Sequence, residues 1–285
     1  MARRRSPRRA ASTRPSWPTS RRGGVRATKR RALGQHFLRD AGIARAIVDL
    51  VAPTAADLVI EIGPGEGALT GELARRAGRV VALEVDRGLV ERLRARFPSV
   101  EVVEADARAW EYGAIARPRE GRVLVAGNLP YSVGKPILAA LVAARTAIDE
   151  MALMLQREVA ERVAAPPGSK TYGSLSVLSQ LYCDVRLALR VPPGAFRPPP
   201  AVESGVLHVR VRPAPRVPLA DESRFRAVVQ AAFGQRRKTL ANALARGLGL
   251  PLEVVRRTAT TTGVDPGRRA ETLTILEFAE LARRL

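Results

Sequence analysis

The sequence predicts an α/β protein: a doubly wound, Rossmann-like sheet of seven strands with an antiparallel last strand, joined to a small all-α C-terminal domain. Three observations predict it. Short apolar runs alternate with longer amphipathic ones from about Leu33 to Val211, the pattern of strands and helices wound into one sheet. A strand-like run enters a turn holding Gly63, Gly65 and Gly67, and an amphipathic stretch follows it. Beyond Pro213, Ala214 and Pro215 only helical periodicity remains.

Residues 1–31 carry twelve basic side chains and no acid, interleaved with Ser, Pro, Gly and Thr. Such a segment cannot bury a core and is expected to be a disordered basic tail. The main domain is expected over 32–212, with strands at Leu58–Ile62, Val80–Val85, Val100–Glu104, Val123–Ala126, Ala152–Leu155, Val185–Val191 and Gly205–Val211. The last two are separated by the Pro-rich VPPGAFRPPPAV rather than by a helix pattern. That favours an antiparallel ending over another crossover. Residues 213–285 are expected to form the helical domain, with helices at Ser223–Leu248, Leu252–Thr260 and Thr274–Leu285.

Charge narrows the partners. The 285 residues hold 48 Lys and Arg against 27 Asp and Glu, a formal net charge of +21 that attracts polyanions. No stretch approaches the roughly 20 uninterrupted apolar residues of a membrane span, so a nucleic acid is the expected partner. Cys183 stands alone, which excludes an internal disulfide and fits a reducing, cytoplasmic setting. His36 and His208 are too distant to make an obvious zinc cluster with it, and no metal is expected.

The glycine turn carries the first chemistry. Glycines are needed where a backbone turns sharply against a ligand that a Cβ would strike. The GxGxG spacing lacks the GxGxxG pitch of a dinucleotide pyrophosphate site. At the end of the next strand Glu84 can accept hydrogen bonds from both hydroxyls of a ribose, with Asp86 as its rival. Asp106, ending the third strand, is placed to accept from an adenine amino group of the same ligand.

The fourth strand runs into Asn128-Leu129-Pro130-Tyr131, which matches the [NDS]-x-P-[YFW] tetrapeptide of amino-group methyltransferases. The chemistry follows from the atoms. An exocyclic amine on adenine is a poor nucleophile because its lone pair is delocalised into the ring. Accepting its N–H bonds at the Asn128 side-chain oxygen and at a backbone carbonyl, that of Leu129, moves density toward the methyl carbon. Pro130 fixes the turn that aims these acceptors, and Tyr131 can stack on the base, a contact worth ~1–3 kcal/mol. Phe196 is expected to close the base pocket opposite Tyr131.

These motifs, with LGQHFL at Leu33–Leu38, MLQREVAERV, YGSLSVLSQLYC, PPGAFRPPPAVESGV, FGQRRKTLANAL and the closing GVDPGRRAETLTILEFAEL, resemble the KsgA-type ribosomal RNA adenine dimethyltransferases over nearly the whole chain after the tail. The resemblance implies a class I methyltransferase fold and S-adenosylmethionine as cofactor. The implied reaction dimethylates N6 of two adjacent adenosines near the 3′ end of 16S ribosomal RNA, by a monomer acting on the small subunit during its biogenesis. It carries cofactor contacts onto His36, Leu38, Gly63, Gly65, Glu84, Asp106 and Asn128. Arg236, Arg237 and Lys238, on the expected helix of the second domain, are read as phosphate-gripping residues. The alternatives are a macrolide-resistance type 23S ribosomal RNA methyltransferase and a non-catalytic RNA-binding assembly factor. The long C-terminal signature argues against the first, and the intact NLPY tetrapeptide with Glu84 against the second.

Overall fold

The computed structural model describes residues 35–285, and the basic tail lies outside them. The chain opens with a two-residue strand β1 (Phe37–Leu38) and helix α1 (Ala41–Val51), whose start is capped by Asp40 accepting from Ile43 N. Three parallel strands with crossover helices follow: β2 (Leu58–Ile62), α2 (Thr70–Arg76), β3 (Arg79–Glu84), α3 (Arg87–Arg96) and β4 (Glu101–Glu104). The chain then returns to the other side of β2 with β5 (Val123–Asn128), α4 (Gly134–Ala143), β6 (Glu150–Gln156), α5 (Arg157–Ala164), α6 (Ser174–Tyr182) and β7 (Cys183–Val191). A short strand β8 (Phe196–Arg197) precedes β9 (Ser204–Val211), and α7 (Glu222–Gly234), α8 (Leu240–Leu248), α9 (Leu252–Thr261) and α10 (Ile275–Arg284) complete the chain.

The sheet order is β4-β3-β2-β5-β6-β9-β7. Strand β9 inserts antiparallel between β6 and β7, as the Pro-rich connection predicts. Crossovers run outward from β2 in both directions, so the order reverses between β2 and β5. That reversal opens a crevice beyond the carboxyl ends of the strands, where such sheets bind ligands.

Alternation decides which face each side chain takes. Leu58, Ile60 and Ile62 of β2 join one apolar cluster with α4, α5 and α6, whereas Val59 joins the opposite cluster with α1, α2 and α3. The same alternation in β3 and β5 sends Glu84 and Asn128 to the α1–α3 face, with Glu61 of β2 between them. At the other end of the sheet, Arg122 bridges Asp57 (2.9 Å) and Glu150 (3.0 Å), and His208 and Arg210 of β9 close on Glu150. This clamp ties the starts of β2, β5 and β6 to β9.

The C-terminal helices share one continuous apolar cluster with the sheet. Phe225, Val228, Leu244 and Phe278 pack in it, and a ring series runs from Tyr172 through Phe233 to Phe278. Two sequence expectations change here. The single helix expected over Ser223–Leu248 is two helices, because Gly234 is a weak helix former and Gln235 leaves the helical region at φ −134°. Arg236, Arg237 and Lys238 therefore sit in the turn between α7 and α8 and not on a helix. Strand ends also shift by a residue or two: β3 begins at Arg79 and stops at Glu84, leaving Val85 beyond it.

The β1–β8 ladder was not foreseen. Leu38 pairs with Phe196 and Phe37 with Arg197 across some 160 positions of chain. Phe196 is 4% exposed in the apolar cluster beneath the sheet edge. It pairs with Leu38 in this ladder and is not among the residues that line the cleft beside Tyr131. Among the described residues no helix is long and apolar enough to cross a membrane.

Candidate active site

The crevice beyond β2 and β5 is an open cleft of about 1080 Å³, mouth included. It is floored by the glycine turn. Gly63 and Gly65 adopt φ of +65° and +59°, the left-handed region that favours glycine. A Cβ on Gly63 would stand 3.2 Å from Asn128 O, and one on Gly65 2.9 Å from the Phe37 ring. Both glycines thus let β2, β5 and the β1 segment converge on the cleft wall. His36, Leu38, Asp106, Leu129, Pro130 and Tyr131 line it with them.

Glu84 is 4% exposed at the tip of β3. One carboxylate oxygen accepts from Val85 N (2.8 Å) and Asp86 N (3.0 Å), the other from Gly65 N (3.3 Å). Burial raises its pKa, and the three N–H donors offset this only in part. The oxygen shared with Gly65 keeps acceptor capacity toward the cleft. Asp86, the rival acid, caps α3 by accepting from Leu89 N and does not line the cleft. Asp106 is gripped by Arg108 through both oxygens, and the guanidinium holds its carboxyl below the usual range.

Asn128 ends β5 with Nδ2 donating to His36 O at 3.0 Å. With one Nδ2 hydrogen held there the orientation of the amide is fixed, and Oδ1 is presented as an acceptor. His36 Nδ1 lies 2.8 Å from Pro198 O; a carbonyl only accepts, so Nδ1 carries the proton. The imidazole ring lies 5.6 Å from that of Tyr131, tilted by 35°. The Tyr131 hydroxyl meets Ser204 Oγ, which fixes the phenol against the start of β9. Leu129 N donates to Met154 O (3.0 Å) and Val133 N to Pro130 O (3.1 Å), pinning the tetrapeptide between β6 and α4.

Two cleft residues escaped sequence reasoning. Val85 is an apolar side chain 49% exposed beside Glu84, a ready flat for an aromatic ring, and its place just past the strand end was the readable signal. Glu61 is 1% exposed, lines the cleft, and neither of its oxygens has a hydrogen-bond partner. Its signal was an acid inside an otherwise apolar five-residue strand. Burial pushes its carboxyl up to about 8, Thr70 beside it pulls down, and the Glu84 charge adds to the rise.

A glycine cradle, an acid suited to vicinal hydroxyls, an apolar flat and an unpaired buried acid together fit a nucleoside ligand bearing positive charge. A family model described as ribosomal RNA adenine dimethylase matches residues 26–285. The chain belongs to the ribosomal RNA adenine dimethylase family. Members use S-adenosylmethionine, and the cleft residues fit that cofactor. The ribosomal RNA small subunit methyltransferase A of Geobacter sulfurreducens is 46% identical over 267 residues, covering 92% of this chain and 96% of the relative. The protein of the same description from Anaeromyxobacter sp. (strain K) is 45% identical, covering 90% and 93%. Among solved structures, a dimethyladenosine transferase from Plasmodium falciparum superposes with a TM-score of 0.71 at 23% identity, over 86% of this chain and 96% of that one. The 23S rRNA methyltransferase ErmE gives 0.67 at 27%, over 87% and 99%. The family's fold, a mixed seven-stranded sheet followed by helices, is the one seen here.

Proposed function

We propose that this protein dimethylates N6 of two adjacent adenosines near the 3′ end of 16S ribosomal RNA in the small subunit, with Asn128 holding the target amine. The observation that carries this reading is the commitment of Asn128 Nδ2 to His36 O, which leaves Oδ1 to accept from the amine. Small-subunit relatives at 45–46% identity support the choice of RNA over the 27% likeness to a 23S enzyme.

The cofactor supplies a methyl on a sulfonium, whose loss leaves a neutral thioether. No strong general base is needed, and positioning dominates. Asn128 Oδ1 and the Leu129 carbonyl accept the two N–H bonds of the amine. After one methylation a single N–H remains, so one acceptor suffices to hold the amine for the second. Tyr131, fixed by Ser204, offers its ring to the extruded base. Leu38, Gly63, Gly65, Glu84 and Asp106 bind the cofactor, and Arg108 yields or shares Asp106 as they do so. In the α7–α8 turn Arg236 donates to Lys170 O (3.0 Å) and Tyr172 O (3.2 Å). It anchors the turn, while exposed Arg237 and Lys238 reach RNA phosphates from the helical domain. The enzyme acts as a cytoplasmic monomer.

The test is transfer of labelled methyl groups to small and large subunits purified without these modifications. Label on the small subunit alone is expected. Label confined to the large subunit would overturn the substrate assignment.

A further inference from the structure

His36 ties two parts of the site together. Its carbonyl accepts from Asn128 Nδ2 at 3.0 Å, and its Nδ1–H donates to Pro198 O at 2.8 Å. The β1–β8 ladder brings His36 and Pro198 opposite one another, because Phe37 pairs with Arg197 and these are the next positions along. Pro198 opens the segment between β8 and β9, and Ser204 at its far end meets the Tyr131 hydroxyl. Three successive prolines, Pro198, Pro199 and Pro200, fix their own φ and stiffen the segment. Just before Ser204 it is tied down again, where Arg157 N donates to Glu203 O at 2.9 Å. His36 thus holds one end of the β8–β9 segment and α5 holds the other, beside the anchor of Tyr131.

The imidazole also backs the Tyr131 ring. Centroids 5.6 Å apart with a tilt of 35° belong to two rings in contact. No base fits between them, so an adenine stacked on Tyr131 takes the face turned away from His36.

We propose that the His36 side chain is a positioning residue for the target adenine: by donating to Pro198 O and backing Tyr131, it fixes the plane on which the base stacks in front of the Asn128 acceptor. The inference rests on the roles given above to Asn128 and Tyr131. His36 touches no reacting atom and acts through Tyr131. The sequence points to the cofactor at this position, whereas both partners of the ring lead to Tyr131.

The two methyl transfers separate this role from a general structural one. In the first, Asn128 Oδ1 and the Leu129 carbonyl hold two N–H bonds. In the second only one N–H remains, and the stack on Tyr131 carries a larger share of the hold. A loosened Tyr131 therefore slows the second transfer more than the first, and N6-monomethyladenosine accumulates. A cofactor contact would slow both alike, because the same cofactor serves each.

The experiment is a time course of nucleoside analysis on unmodified small subunits, with the full-length protein in excess and S-adenosylmethionine saturating. His36→Leu removes both ring and donor. It is expected to slow the second transfer by roughly tenfold and the first by no more than about threefold, so that monomethyladenosine builds up. His36→Asn keeps a donor for Pro198 O and should recover most of the lost second-transfer rate. If His36→Leu does not fold, His36→Phe keeps a ring against Tyr131, lacks only the donor, and is expected to accumulate monomethyladenosine as well. Equal slowing of the two transfers, a deficit that extra cofactor repairs, or a His36→Asn variant no better than the donorless one would overturn the proposal. A wild type that leaves N6 unmethylated would overturn the functional reading on which it stands.

Discussion

Asn128→Ala removes one acceptor from the target amine and leaves the glycine cradle and Glu84 in place. A hydrogen bond to a group gaining positive charge is worth ~1.5–3 kcal/mol, which at ~1.36 kcal/mol per decade is about 10- to 150-fold in rate. The substitution also frees His36 O, the partner of Nδ2 at 3.0 Å, so the segment bearing Leu38 loses a tether and the loss should lie toward the upper end. Cofactor affinity should fall by less than about 1 kcal/mol, roughly fivefold in Kd. Asn128→Asp keeps an acceptor but turns a carboxylate oxygen on His36 O, and should retain more turnover than Ala. The assay is single-turnover methyl transfer to unmodified small subunits, paired with calorimetric cofactor binding. An Ala variant within about threefold of the wild-type rate would refute the role given to Asn128.

Glu84→Ala should weaken S-adenosylmethionine binding by at least tenfold, since two ribose hydroxyls lose their acceptor, whereas Asp86→Ala should mainly destabilise α3 by ~1 kcal/mol through its lost cap; calorimetry and thermal unfolding separate the two. At Asp57 burial raises the carboxyl, but bonds from Arg122 and Thr54 outweigh it and bring the value to about 2. That stability is full above the ordinary value of 3.8 and is lost as pH falls through about 2, on the order of 2 kcal/mol, so Asp57→Asn should cost more in urea unfolding at pH 7 than at pH 2. Deleting residues 1–30 removes eleven basic side chains; RNA binding should weaken at low salt and its log–log salt slope should shrink by up to ~0.9 per lost duplex contact, with turnover at saturation unchanged. Identical slopes would mean that the tail does not rest on RNA.

The parts of the site legible in the sequence are those governed by local rules. Glycines at positive φ, an acid at a strand end and Asn-x-Pro-Tyr each announce themselves within a few residues, and the Pro-rich break before β9 announces its reversal. Setting Asp86 aside needed the structure, because it lies only two positions beyond Glu84 and what distinguishes it is its engagement in the α3 cap. The burial of Phe196 was not legible, because a ring among prolines reads as a loop residue and its place in the core depends on pairing with Leu38 far away in the chain. The α7–α8 break was available in Gly234 and Thr239, but apolar periodicity continues across it and masks the stop. Glu61 stayed hidden because its importance lies in what surrounds it.

The most direct test of the central claim is nucleoside analysis of small-subunit RNA after incubation of unmodified subunits with the protein and S-adenosylmethionine. Two N6,N6-dimethyladenosines per RNA, adjacent and near the 3′ end, are predicted, and far fewer with Asn128→Ala over the same time. Methylation elsewhere in the RNA, or on an atom other than N6, would contradict the account.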